Sequence, residues 1–310
     1  MLPASAQQKL RTEYEGFIDE MAGKHGIERA SLRRLFARIK PQPSIIRAMN
    51  APSTSRPWYE FRKNHVNAMH INGGAKFWLK HAATLERAAL DFGVPEDIIT
   101  ATIGIETHYG GYTGNFRIID ALATLAFDYP KRAGFFRDEL EQFVLMGEET
   151  SLDLAGLRGS YAGAMGMPQF MPSSYRKYAV DFDGDGQRNL WSSVPDVIGS
   201  VANYYKSHEW QSGEAVVVPA SVTNTPNSAL TDDITPKMPI GEFRKLGIEP
   251  TTSVSDDALA ALLPLENENG MQYWFGFKNF YVITRYNRST NYAMAVYEIA
   301  QGIKAQMKGA

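Results

Sequence analysis

The sequence predicts an α+β fold that is mainly α, and three observations carry that reading. Apolar residues recur at helical spacing through most of the chain before Gly213. From Gly213 the texture changes to short β-branched and aromatic runs, AVVVPASV, MPIGEF, TSVS, MQYWFGF and NFYVITRY, which read as a small antiparallel sheet of about five strands. YAMAVYEIAQGIKAQM then returns to helix. At 310 residues the chain exceeds the roughly 250–300 at which one core usually divides, so two or three subdomains follow.

Taken in order, residues 7–39 predict two helices. Phe17, Ile18 and Met21 share a face, and Ser31 caps LRRLFARI with Leu32, Leu35, Phe36 and Ile39 inward. PQPSIIRAMNAPSTSRPWYEF, rich in Pro and Ser, predicts an extended linker or loop. A helix over 72–92 follows, and Gly93 breaks it. The organising stretch is PEDIITATIGIETHYGGYTG, residues 95–114. Pro95 suits a first helical position, and Glu96 and Asp97 sit where the positive helix end favours acids. The body IITATIGI is apolar on nearly every face, which predicts burial, and Gly110 and Gly111 stop the helix. Glu106 shares a face with Thr102 and Ile103 at the exit. Beside a Tyr/Gly loop, such a carboxyl holds its proton to unusually high pH, the profile of a general acid. The residues alone also allow, and on composition favour, a helix-end acid solvated by the loop. Helical patterns continue over 117–125 and 135–146.

Composition narrows the chemistry. Hydrophobic content of 44% and charged content of 21% describe an ordinary soluble globular protein. The net charge of -2 gives no reason to expect nucleic acid or an acidic membrane as partner. The absence of cysteine excludes disulfides, thiolate nucleophiles and thiolate metal sites. No apolar run approaches the roughly 18–20 residues of a transmembrane segment. MLPASAQQ lacks a basic-then-apolar leader pattern, which fits a cytosolic protein or a mature form with its leader removed. The histidines form no zinc spacing such as HExxH, and nucleophile-elbow and phosphate-loop patterns are missing.

Two further stretches bear chemistry. GSYAGAMGMPQFMPSSY, residues 159–175, is too apolar for a solvated connection; it reads as the lining of a sugar groove or as a buried link between helices. In DFDGDGQRNLWSSVPD, residues 181–196, Asp181, Asp183 and Asp185 alternate, Gly186 allows a turn and Gln187 offers a carbonyl. That matches the first half of an EF-hand calcium loop, although Ser192 stands where a bidentate Glu is expected and Asp196 is the nearest later carboxylate. The alternative is an Asp-rich turn.

With these stretches in hand, the chain resembles the family B lytic murein transglycosylases. GIETHYG, RIIDALATLAFDYPKRA, GSYAGAMGMPQFMPSSY, DFDGDGQRNLW, IGSVANYYKSHEW and ITRYNRSTNYAMAV carry the likeness in order. The resemblance implies a lysozyme-like core (93–212 plus 283–292), a helical domain from both chain ends (1–92 plus 293–310) and a small inserted antiparallel β domain (213–282). It implies cleavage of the β-1,4 bond between N-acetylmuramic acid and N-acetylglucosamine in peptidoglycan glycan strands, leaving a 1,6-anhydromuramyl end. Glu106 matches the single acid/base. Ser160, Gln169, Tyr204, Tyr286, Asn287 and Tyr292 match positions lining the sugar groove, and Asp181, Asp183, Asp185, Gln187 and Asp196 match a structural calcium loop. It further implies a periplasmic setting, soluble in the absence of a lipobox cysteine, with penicillin-binding proteins as candidate partners. The pair His108-Tyr109 varies in the family, so His108 takes no role by analogy.

Overall fold

A computed structural model describes residues 10–50, 56–223 and 225–309, the side chain of Ala229 apart. The chain is mainly helical with one five-stranded antiparallel sheet, and its backbone divides into two units. The first comprises the described parts of Met1–Pro52 together with Thr113–Lys177. Helices Thr12–His25 and Arg29–Phe36 bury Tyr14, Phe17 and Phe36, whose rings meet at 5.5–5.6 Å. Helices Ile118–Asp128 and Ala133–Glu149 pack side by side and add Leu122, Phe136 and Phe143 to this core. A short antiparallel pair aligns Phe116 with Gly159. There the backbone runs so close that a Cβ on Gly114 would lie 2.2 Å from the Gly159 carbonyl oxygen.

The second unit, from Ser53–Tyr112 and Tyr178–Ala310, is organised around helix Glu96–Thr107. Residues 97–104 of that helix are all buried, as a body apolar on every face requires. Helices Ala68–Lys80, Val194–Ser207 and Thr290–Lys308 pack against it. The sheet runs in the order 238–239, 259–267, 270–276, 217–222, 248–250. Helix Ile240–Lys245 covers one face, setting Ile240 and Phe243 against Leu262, Phe275 and Ile248.

Several local expectations are corrected. Ser31 lies inside helix Arg29–Phe36, whose N-cap is Glu28. The 41–61 segment contains helices Pro43–Asn50 and begins helix Trp58–His65, because Ile45 and Trp58 have cores to enter; residues 51–55 and the N-terminal MLPASAQQ lie outside the described residues. The 72–92 helix is two, Ala68–Lys80 and Ala82–Phe92, interrupted at His81. NFYVITRY is helical, Lys278–Tyr286, since Phe280, Ile283 and Thr284 form an i, i+3, i+4 buried stripe and Asn279 is anchored by donating to the Gln211 and Glu214 carbonyls. MPIGEF is strand only at Met238–Pro239 and helix from Ile240 onward, and TSVS lies outside the strands. The missing strands are Ile248–Pro250 and the Leu- and Ala-rich Leu259–Asn267.

Candidate active site

Glu106 sits in the last turn of helix Glu96–Thr107. Pro95 is the N-cap and not the first helical residue, and Asp97 is buried in the first turn with Lys304 at 3.6 Å. At the other end the helix stops before the glycines do their work. His108 (φ 50°) and Tyr109 (φ 61°) are successive left-handed residues, and only then comes Gly110 (φ 87°). A non-glycine residue costs about 1–2 kcal/mol in that conformation, so the surroundings must enforce the turn. Part of the enforcement is local: the N–H groups of His108 and Tyr112 donate to the Gly104 and Thr107 carbonyls, and Gly110 N–H donates to Thr107 Oγ1 at 3.1 Å.

The carboxyl of Glu106 is half-buried, and Tyr292 Oη donates to its Oε1 at 2.5 Å. Tyr292 lies in the first turn of helix Thr290–Lys308, which Ser289 caps by accepting from Tyr292 N–H. Burial pushes the Glu106 pKa up to about 7, and the Tyr292 hydrogen bond partly opposes that rise. The result is an acid that still carries its proton near neutrality.

Phenols surround it. Tyr204 donates from Oη to the Arg285 carbonyl at 2.6 Å, and its ring meets Tyr286 at 4.7 Å and stacks on His208 at 4.2 Å. Tyr205 shares a 2.8 Å hydrogen bond with Thr102 Oγ1, one turn before Glu106 on the same helix face. Burial raises the pKa of Tyr204, Tyr205, Tyr286 and Tyr292, and a charge on Glu106 would raise each further. They therefore stay protonated and act as neutral hydrogen-bonding groups. Asn287 follows Tyr286 as the exposed C-cap of helix Lys278–Tyr286.

Ser160 and Gln169 lie in the first unit. Ser160 Oγ accepts from Ala162 N–H and Ala164 N–H, at 3.3 and 3.0 Å. Gln169 adopts φ 51° while its Nε2 donates to the carbonyls of Thr113 and Gly166. The 159–175 stretch divides between the two readings the sequence allowed: Met165, Phe170 and Tyr175 are buried, whereas Tyr161 is 41% exposed.

In the second unit, carboxylate oxygens of Asp181, Asp183 and Asp196 lie within 4.8 Å of one another, and Asp185 lies outside that group. Asp196 is fully buried, its Oδ1 accepting from Phe182 N–H and its Oδ2 from Asn189 N–H, each at 2.7 Å. Burial raises its pKa against those bonds, while Ser193 Oγ, donating to Asp183, holds Asp183 low. Three convergent carboxylates, one without solvent, form the oxygen donor set that a hard cation takes. Asp185 Oδ1 instead accepts from Gln187 N–H at 2.8 Å. Ser193 escaped notice in the sequence, although SVPD before an apolar run is a capping pattern. Helical spacing places Thr102 on the face of Glu106, but its partner Tyr205 carries no comparable signal, since a Tyr on a buried helix face reads as core.

The transglycosylase SLT domain model matches residues 9–301. The chain belongs to that family. It is 44% identical over 297 residues to membrane-bound lytic murein transglycosylase B of Escherichia coli K12, covering 93% of this chain and 81% of that protein. The structure of the catenated lytic transglycosylase SltB1 from Pseudomonas aeruginosa superposes with a TM-score of 0.91 at 44% identity, covering 96% and 98% of the two chains. Escherichia coli Slt35 in complex with calcium gives 0.87 at 43% identity, covering 95% and 93%. The fold is thus the mainly α, lysozyme-like one, with a small antiparallel sheet.

Proposed function

We propose that the protein is a lytic murein transglycosylase that cleaves the β-1,4 bond between N-acetylmuramic acid and N-acetylglucosamine, with Glu106 as acid and then base. The observation that carries this reading is the Glu106 carboxyl, its pKa near 7 and hydrogen-bonded to the Tyr292 phenol. Glycosidases that use water or a covalent intermediate need a second carboxylate roughly 5–9.5 Å away. An internal nucleophile removes that need. Protonated Glu106 gives its hydrogen to the bridging oxygen as the C1–O bond breaks. The muramyl C6 oxygen then attacks C1, and its proton passes to the Glu106 carboxylate, so the catalyst is restored and no water is consumed. A tethered hydroxyl can act at an effective concentration of about 10⁵ M or more, which lets it outrun water. Tyr292, donating to Oε1, steadies the carboxylate between the two transfers and leaves Oε2 to carry the proton. Tyr204, Tyr286 and Asn287, with Ser160 and Gln169, are the groups assigned to the sugar.

Calcium is the cation assigned to the 181–196 loop, held by Asp181, Asp183 and Asp196, and its contribution is to hold the loop without entering the reaction. The setting is the periplasm, where peptidoglycan lies; among the described residues no helix is long and apolar enough to cross a membrane. Functionally the chain divides into a helical domain built from both ends, a catalytic core and an inserted β domain. Mass spectrometry of muropeptides released from purified sacculi tests the reaction: anhydro products are lighter by one water than those of a hydrolase, and reducing ends alone would sink the proposal.

A further inference from the structure

We propose that Tyr109 is a positioning residue for Glu106: its ring, seated in a slot made by three glycines, holds the strained turn that ends the catalytic helix and so fixes the Glu106–Tyr292 hydrogen bond. The inference rests on Glu106 being the acid/base. The slot is tight. A Cβ on Gly104 would lie 2.4 Å from Tyr109 Oη, one on Gly74 2.7 Å from the same atom, and one on Gly73 2.8 Å from the ring. Only hydrogen fits at these three positions while the ring stays in place. The hydroxyl donates to the His70 carbonyl at 2.5 Å, and the ring meets Phe77 at 5.4 Å. His70 is itself fixed, 2% exposed and held by Asn67, which accepts from its N–H at the start of helix Ala68–Lys80.

These contacts tie three helices together. Gly104 belongs to the helix of Glu106, and Gly73 and Gly74 to Ala68–Lys80. That second helix is seated on Thr290–Lys308, where Gly74 faces Ile303 and Gly302 faces Ile71. The third helix carries Tyr292. Tyr109 therefore closes a ring of helices around both partners of the bond that presents the catalytic proton. Without its anchor the left-handed pair His108–Tyr109 can relax, and Glu106, two and three residues upstream, moves with it.

The test uses the full chain and initial rates of muropeptide release from sacculi, measured across substrate concentration and pH, with thermal melting alongside. Tyr109→Phe keeps the ring and deletes only the hydroxyl. Gly73→Ala keeps Tyr109 but obstructs its slot, and Gly134→Ala, with nothing within 4 Å of the added Cβ, controls for a glycine replaced in a helix. Tyr109→Phe is expected to lower kcat about 10-fold with KM within twofold, and Gly73→Ala about 10²-fold, the cost of a displacement near 1 Å. In both, the alkaline limb of activity moves to lower pH as Glu106 becomes better solvated. A fall in melting temperature with kcat within twofold and an unmoved limb in Tyr109→Phe would overturn the proposal, because a merely structural role has that signature. Failure of the underlying reading is separately visible, as wild-type turnover in Glu106→Gln.

Discussion

Glu106 and Asp196 are both acids held in the second unit by helix ends, yet they are prepared for opposite tasks. Among the described residues Glu106 accepts one side-chain hydrogen bond, from the Tyr292 hydroxyl, in a surrounding of phenols and apolar helix, so burial dominates and the proton stays. Asp196 is more deeply buried, yet backbone N–H groups bond both of its oxygens, and Asp181 and Asp183 converge on it. The difference teaches that depth alone does not decide a carboxyl's use. One donor leaves an acid free to exchange its hydrogen, whereas a backbone cradle with like charges nearby stores negative charge for a cation.

The largest effect should come from removing the exchangeable proton. Glu106→Gln is expected to lower the rate of muropeptide release by about 10²–10⁴-fold, the usual reach of a general acid/base, while leaving glycan binding in place. Activity should also fall as pH rises through about 7, since the donor must be protonated. Stability runs the same way. The folded pKa of about 7 exceeds the ordinary 4.5, so ionising Glu106 in the fold is unfavourable, and that cost grows between those two values. Melting of Glu106→Gln should match wild type at pH 4 and exceed it at pH 8; the reverse order at pH 8 would contradict the burial account. Next in size, Tyr292→Phe removes the bond that lowers the Glu106 pKa. A loss of about 10-fold in rate with the alkaline limb displaced upward, read from the pH profile, is the expected pair of changes.

How much of this was legible beforehand follows the same division. An all-round apolar helix ending in a single acid announces itself, because burial of IITATIGI is dictated by composition and the exit acid has nowhere dry to go without losing solvent. The alternating Asp181, Asp183, Asp185 run was equally plain, but which acids converge was not. Asp181, Asp183 and Asp196 converge while Asp185 Oδ1 accepts from Gln187 N–H, yet Asp181 and Asp183 accept turn N–H groups as well, so residue type alone does not separate the three alternating acids. NFYVITRY misled for a related reason: β-branched and aromatic residues fit strand or helix, and the Asn279 anchors that select the helix lie 65 to 68 residues away. Leu259–Asn267 lacks the β-branched residues that mark a strand, and it is one because residues 270–276 pair with it across a two-residue turn. The Asn279 anchors, unlike that hairpin, are long-range partners that leave no local trace.

The metal side of the comparison supplies the smaller effects. Calcium at 100 times its dissociation constant should add about 2.7 kcal/mol, seen as a rise in melting temperature of several degrees that a chelator reverses, with kcat unchanged once the loop is saturated. Asp196→Asn should abolish that rise and lower stability even in chelator, because it alters a buried group that bonds two backbone N–H groups. Asp185→Asn should do far less. Its carboxylate is exposed and outside the cluster of three, so the amide oxygen can still accept from Gln187 N–H, and the calcium-dependent shift in melting should stay within about 0.5 kcal/mol of wild type. A loss of calcium response in Asp185→Asn as large as that in Asp196→Asn would mean that the alternating run, and not the convergence on the buried acid, sets the affinity of the loop.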